Sequence, residues 1–186
     1  WRFNKRNSVE CKLPMLLSDN VYLDGIRDTK SIWKRKSSFV KRLVYYALNH
    51  TYTIYKLLMG DYDVFLPSYY DPYFLPFLRK KPFVLVLHDM THELYPNTSS
   101  AKDKTIAWKK KLVYKADKII AISENTKKDI IKFYGIEESK IEVIYWATTL
   151  KPPQKKVNLD LPKKYIMFVG NRGKYKNFNR FINACT

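Results

Sequence analysis

Residues 118–145 read Lys-Ile-Ile-Ala-Ile-Ser-Glu-Asn-Thr-Lys-Lys-Asp-Ile-Ile-Lys-Phe-Tyr-Gly-Ile-Glu-Glu-Ser-Lys-Ile-Glu-Val-Ile-Tyr. A short apolar run, Lys118 to Ile122, leads into Ser123, whose hydroxyl suits it to cap the unpaired amides at the start of a helix. Thr126, Ile130, Ile131 and Tyr134 then share one helical face, and Gly135 supplies the left-handed residue that commonly follows a helix. Ile141 to Tyr145 is a second strand-sized run. Strand, helix and strand in this order form a βαβ unit, and such units build parallel sheets.

The segments on either side extend the same alternation. Phe83 to Leu87 (Phe-Val-Leu-Val-Leu) and Asp63 to Leu66 (Asp-Val-Phe-Leu) are short, β-rich and flanked by Pro82 and Pro67, so both read as buried strands. The Tyr- and Pro-rich stretch between them is a loop or a broken helix. From about Lys34 to Met59, Val40, Leu43, Val44, Ala47, Leu48, Tyr55 and Leu58 follow helical spacing, and Gly60 ends the run. Residues from about Lys102 to Lys115 form a weakly amphipathic helix. Lys151 to Lys163 is polar and contains prolines, in the manner of an interdomain linker.

A second unit follows, with a strand over Tyr165 to Val169, a loop from Gly170 to Lys176, and a helix that lines up Phe178, Phe181, Ile182 and Cys185. One β-loop-α unit cannot bury its own apolar face, so it must pack on the first domain or belong to a larger one. The class expected is α/β with a parallel sheet. Its expected core is Val64, Phe65, Val84, Val86, Ile119, Ile120, Ile122, Ile130, Val143, Ile166 and Phe168.

Composition agrees with a packed domain, since 46% of the 186 residues are apolar. The formal charge of +18 points to anionic partners such as phosphate groups, nucleic acid or acidic lipid. Cys11 and Cys185 are the two cysteines and neither belongs to a metal-binding cluster, which argues against a disulfide scaffold or a zinc module. No apolar run approaches the ~18 residues of a membrane span, and no signal-peptide pattern opens the chain. A soluble, cytoplasmic protein is the expectation.

Ligands of open α/β sheets bind outside the carboxyl ends of the strands, and three such ends carry suggestive residues. The first places His88 and Asp89 directly after a buried strand, with His92 and Glu93 a turn later. Such a pair can exchange a proton or hold a sugar hydroxyl; alternatively Asp89 caps a turn and His88 is structural. His88 and His92 stand four residues apart, but Pro96 and the strand context disfavour the regular helix a metal pair uses, and no metal is expected. The second end is Ser123, where helix amides could meet an anion, although capping alone accounts for it. At the third end, Gly170 and Gly173 lie beside Arg172, Lys174 and Lys176 between a strand and a helix. Glycine admits an anion close to the backbone while Arg and Lys supply charge, as in a phosphate-binding loop; a solvated basic loop is the alternative.

Four ordered segments, Val-Leu-His-Asp-Met-Thr-His-Glu-Leu-Tyr-Pro, Ala-Asp-Lys-Ile-Ile-Ala-Ile-Ser-Glu-Asn-Thr-Lys-Lys-Asp-Ile, Lys-Ile-Glu-Val-Ile-Tyr and Phe-Val-Gly-Asn-Arg-Gly-Lys-Tyr-Lys-Asn-Phe, together resemble glycosyltransferase family 4. The resemblance implies the GT-B architecture, with Rossmann-like parallel sheets carrying helices on both faces. Residues 1–150 would be the acceptor-side domain without its first strand, 151–163 the linker, and 164–186 the start of the nucleotide-sugar donor domain. It implies a retaining transferase, bacterial and engaged in cell-envelope polysaccharide synthesis. The substrates would be a nucleotide-diphosphate sugar and a saccharide or lipid-linked acceptor, with no cofactor or metal.

Carried over by position, His88 meets the donor sugar, and Asp89 shapes the cleft or meets the acceptor. Gly170, Arg172 and Lys176 hold the donor diphosphate, and Ser123 and Trp146 line the cleft. Trp146-Ala147 stands where the family usually has His-Gly after Val-Ile-Tyr. The positive surplus suits the diphosphate and a peripheral contact with an anionic membrane. Two rival readings differ in class. One is a basic nucleic-acid-binding module, for which the aromatics interleaved with Lys and Arg around Lys34 to Tyr46 are the motive; their place on a helical apolar face explains them without bases, so no nucleic acid is expected. The other is a sugar-binding relative without catalysis.

Overall fold

The computed structural model describes residues 9–18, 39–96, 103–147, 160–170, 172 and 176–185. The linker expected over residues 151–163, the first residues of the Lys34 helix, and Gly173 and Lys174 fall wholly or largely outside them.

Three short strands, β1 (Val84–Leu87), β2 (Lys118–Ala121) and β3 (Ile141–Val143), form a parallel sheet in the order β1-β2-β3. Val84 lies opposite Lys118 and Leu87 opposite Ala121, while Ile119 lies opposite Ile141. Phe65 adds one parallel bridge on the other side of β1, donating from its N–H to the Pro82 carbonyl and accepting from Val84 N–H. The expected Asp63–Leu66 strand is therefore a single bridge. Asp117, just before β2, joins the starts of β1 and β2, its carboxylate accepting the Phe83 amide at 2.8 Å.

Parallel strands need crossovers, and helices supply them. α2 (Thr91–Leu94) and α3 (Thr105–Lys115) connect β1 to β2, and α4 (Glu124–Tyr134) connects β2 to β3. Ser123 caps α4 through its hydroxyl, which accepts the Thr126 amide at 3.1 Å, and Gly135 ends it at φ +63°, both as the sequence predicts. The Tyr- and Pro-rich stretch contains a 3₁₀ helix over Pro72–Phe77, capped by the Asp71 carboxylate.

The core follows strand alternation rather than hydrophobicity alone. Leu85 and Leu87 of β1, Ile119 and Ala121 of β2, and Ile141 of β3 are buried in one cluster with Leu112 and Val113 of α3 and Ile130 and Tyr134 of α4. Val84, Val86 and Ile120 point the other way and are only half-buried, as is Ile122, which follows β2. Val64, expected in the core, is 45% exposed because the partner of Phe83 is its neighbour Phe65. Ile119 and Ile130 are buried as expected, while Phe65 and Val143 pack at the margin.

The first helix, α1 (Phe39–Met59), ends at Gly60 as expected but is turned differently. Its buried residues are Lys41, Thr53 and Leu57, while Leu43, Leu48, Tyr55 and Leu58 are exposed. Polar contacts set this orientation. Asn49 Oδ1 accepts the amides of Leu16 and Leu17 and its Nδ2 donates to the Leu17 carbonyl, so residues 14–17 lie along the Asn49–Thr53 face. His50 stacks between Tyr46 and Tyr73, which ties α1 to the 3₁₀ helix.

The expected strand over Tyr165–Val169 pairs with no described segment, and a strand without a neighbour is only extended chain. Ile166 is accordingly 72% exposed rather than part of the core, and Phe168 is half-buried in an aromatic group with Phe178 and Phe181 of α5 (Phe178–Cys185).

Truncating Leu85 to Ala should cost about 2–5 kcal/mol, whereas Val64→Ala should stay within about 0.5 kcal/mol. Urea unfolding of both variants decides whether the alternation is as described; equal losses would contradict it.

Candidate functional site

The carboxyl end of β1 opens directly into His88 and Asp89. The His88 N–H donates to the Tyr70 hydroxyl at 3.2 Å, and the imidazole lies edge-to-face against Trp146, centroids 5.0 Å apart. His88 Nδ1 is buried and has no hydrogen-bond partner among the described residues. An orphaned ring nitrogen at a strand end is what a ligand hydroxyl would satisfy. Trp146 is 69% exposed, so one wall beside His88 is an aromatic face open to solvent.

Asp89 turns the chain. Its Oδ1 accepts the Thr91 amide at 2.9 Å, which starts α2. Partial burial pushes this carboxyl up, but the Thr91 hydrogen bonds and the nearby Lys109 and His92 outweigh it, so Asp89 sits below the usual carboxylate range. Asp89 is thus both a turn residue and an ionised group at the strand end.

Behind the turn lies a buried polar network. Lys109 of α3, 1% exposed, donates to the Glu93 carboxylate at 3.1 Å and to the Asp89 carbonyl at 2.9 Å. The other Glu93 oxygen accepts the Tyr134 hydroxyl at 2.6 Å. Burial and the adjacent Glu93 charge both push the Tyr134 phenol up, and burial pushes Tyr70 up to about 12, so both stay protonated donors at neutral pH. The sequence reading gave Lys109 and Tyr70 no role and placed Tyr134 only on the apolar face of its helix. The available signal was Lys109 at an apolar-periodic position with Thr105, Leu112 and Val113, where a cation requires a buried acid.

The structure brings His88, Asp89 and Trp146 to one place. Ser123 stands at the end of the adjacent strand, where its hydroxyl is occupied by the Thr126 amide as a cap. His92 faces Asp103, its Nε2 at 3.4 Å from the carboxylate, so His88 and His92 have different partners. Among the described residues no three His, Cys, Asp or Glu side chains group as a metal site would. Gly170 has φ +142°, a conformation that favours glycine, and the Arg172 guanidinium lies 4.9 Å from the Phe178 ring centre. Lys176 is exposed two residues before α5.

The model of the family described as Glycosyltransferase Family 4 matches residues 25–150, more than half of the chain. The chain belongs to glycosyltransferase family 4. No curated protein matches it. The family establishes a glycosyltransferase-like role in general, with a sugar donor and an acceptor as partners in that general sense, and agrees with the Rossmann-like α/β sheet. The match contains His88, Asp89, Ser123 and Trp146 of this family-4 chain and stops before Gly170, Arg172 and Lys176. No described helix is long and apolar enough to cross a membrane.

The Asp89 and Asp103 carboxyls are both held below the usual range, Asp103 chiefly by hydrogen bonds from Thr105. A carboxyl with a lowered folded-state pKa contributes stability that is complete above its unfolded value of about 3.9 and is lost as pH falls through the folded value. Thermal unfolding should therefore be nearly flat from about pH 7 to 5 and decline below about pH 4. Asp89→Asn should flatten that decline; an unchanged acid slope in the variant would remove Asp89 from it.

Proposed function

We propose that this chain carries the acceptor-side half of a retaining glycosyltransferase that moves a sugar from a nucleotide-diphosphate sugar to a saccharide or lipid-linked acceptor. The observation that carries the reading is the place of His88, at the carboxyl end of a parallel strand in a family-4 domain and beside an open aromatic face, with a buried Nδ1 that has no partner among the described residues. In this reading residues 1–150 form the acceptor-side domain, 151–163 the linker, and 164–186 begin the donor domain.

The chemistry follows from which charges change. The bond between the sugar's anomeric carbon and the diphosphate oxygen breaks, and its electron pair leaves with the diphosphate. The acceptor hydroxyl oxygen forms the new bond on the same face, and its proton passes to the departing diphosphate. Charge therefore grows on the leaving group, and fixed cations there lower the barrier most. Arg172 and Lys176 take that role, with Gly170 letting the backbone approach, so the reading needs no metal or cofactor. His88 Nδ1 holds a sugar hydroxyl, ionised Asp89 orients an acceptor hydroxyl, and Trp146 and Ser123 line the cleft. The formal charge of +18 supports an anionic donor and contact with an anionic membrane surface, and the family resemblance favours a bacterial cell-envelope polysaccharide pathway at the cytoplasmic face. A sugar-binding relative without transfer is the second reading, favoured by Trp146-Ala147 in place of His-Gly.

Thermal shifts of the full gene product with UDP-, GDP- and ADP-sugars, inorganic diphosphate and a random oligonucleotide, at low and moderate salt, test this. One nucleotide class should stabilise it, by about 2.7 kcal/mol at a hundredfold excess over Kd. The Arg172→Ala, Lys176→Ala pair should abolish that gain and His88→Ala should reduce it. Stabilisation by the oligonucleotide alone, fading with salt, would replace the reading with nucleic-acid binding. Nucleotide-sugar binding without transfer to any acceptor would select the non-catalytic relative.

A further inference from the structure

We propose that Lys109 is a positioning residue, which together with Tyr70 brackets the His88–Asp89 segment and fixes the direction in which the His88 ring and the Asp89 carboxylate leave β1. The inference rests on the proposed role of the His88–Asp89 turn in sugar transfer and assigns that turn its support.

The geometry is a closed circuit. The Lys109 ammonium donates to the carbonyl of Asp89, the residue just after His88, at 2.9 Å. The same ammonium stands 5.0 Å from the centre of the Tyr70 ring. Tyr70 in turn accepts the His88 amide on its hydroxyl at 3.2 Å. One cation thus flanks the His88–Asp89 pair, through the Asp89 carbonyl at its end and through the phenol that receives the His88 N–H at its start. The third contact, to Glu93 at 3.1 Å, neutralises the cation, and Tyr134 anchors Glu93 to α4.

Stability alone does not call for this arrangement. A lysine 1% exposed beside a carboxylate whose side chain is 3% exposed carries a large desolvation cost, and well-packed apolar residues commonly replace such pairs without loss. The ammonium-to-carbonyl bond does what an apolar pair cannot: it aims a particular peptide group. That peptide, Asp89–Met90, closes the turn one residue beyond His88, whose buried Nδ1 is left without a partner among the described residues. The buried charge sits at the end of β1 where direction matters.

The chain has three histidines, His50, His88 and His92, so imidazole NMR signals of the ligand-free protein resolve the question. Lys109→Met with Glu93→Gln removes the ion pair together, leaving a side-chain amide oxygen at position 93 to accept from Tyr134. His88 signals should shift and broaden while His50, packed between Tyr46 and Tyr73, keeps its own. Tyr134→Phe removes a hydrogen bond from the same network without touching the Asp89 carbonyl. It should lower the melting temperature and leave His88 in place. His88 signals unmoved in a folded double variant, or moved equally by Tyr134→Phe, would overturn the proposal. If the double variant does not fold, Tyr70→Phe decides: it deletes the hydroxyl that receives the His88 amide, and unmoved His88 signals would again overturn it.

In the full gene product, with the donor found by the thermal-shift panel, the double variant should lose about 100-fold in kcat, as displaced catalytic groups do, with KM for the donor changed less than about threefold. Loss in KM with kcat intact would refute positioning. Absence of transfer by the wild-type enzyme would instead remove the proposed function, and the ligand-free His88 signals would still decide the role of Lys109.

Discussion

Parallel pairing of β1 with β2 is the constraint from which the site follows. In a parallel ladder both strands leave the sheet at the same end, so Leu87 opposite Ala121 sets His88 and Ile122–Ser123 at neighbouring exits. β3 adds a third exit, through Ile144 and Tyr145 to Trp146. Residues far apart in sequence, His88 and Trp146, therefore meet with ring centres 5.0 Å apart. An antiparallel arrangement of the same strands would put alternate exits at opposite ends and dissolve the group.

Much of this was legible because local rules governed it. The Ser123 cap, the Gly135 terminus and the β1, β2 and β3 runs depend on a few adjacent residues, and the structure keeps each of them. Burial was less legible, since it depends on which neighbours cover which face. Val84 and Val86 are as apolar as Leu85 and Leu87, yet the pleat sends them to opposite sides, and the α3–α4 side takes the leucines. α1 shows the stronger case. Its apolar stripe predicts one buried face, but Asn49 and Thr53 hold residues 14–17 along another, so specific polar contacts set the rotation. Tyr165–Val169 fails for a related reason: a strand is a property of a pair of segments, and periodicity in one segment cannot supply the other.

The site divides in the same way. His88 and Asp89 stood out because strand ends are where α/β sheets collect ligands, whereas Trp146 entered only through the resemblance to the family. Lys109 was hidden within a helix whose sequence, Thr-Ile-Ala-Trp-Lys-Lys-Lys-Leu-Val-Tyr-Lys, carries lysines on every side. Lys109 differs from Lys110 and Lys111 only in facing inward, and an inward cation is stable there because Glu93 and the Asp89 carbonyl meet it. The acid partner lies on another element, so neither residue alone discloses the pair.

The two walls of the site have opposite characters, and this bears on what it can discriminate. On the β1 side, charge-assisted and directional bonds hold the His88–Asp89 turn, with little freedom left for the peptide. On the β3 side, Trp146 presents a broad ring that is 69% exposed and meets His88 edge-to-face. A polar wall that holds its groups in place rejects a ligand lacking the matching hydroxyl, because a buried polar atom would stay unpaired. An exposed aromatic wall tolerates variation, since apolar contact distinguishes shapes by little. Within the proposed function, selectivity for the sugar hydroxyl near His88 should thus be strict, and selectivity for the ring that lies against Trp146 loose. A flexible glycine at position 147 would soften the second wall further; Ala147 removes that freedom and leaves the indole to define it.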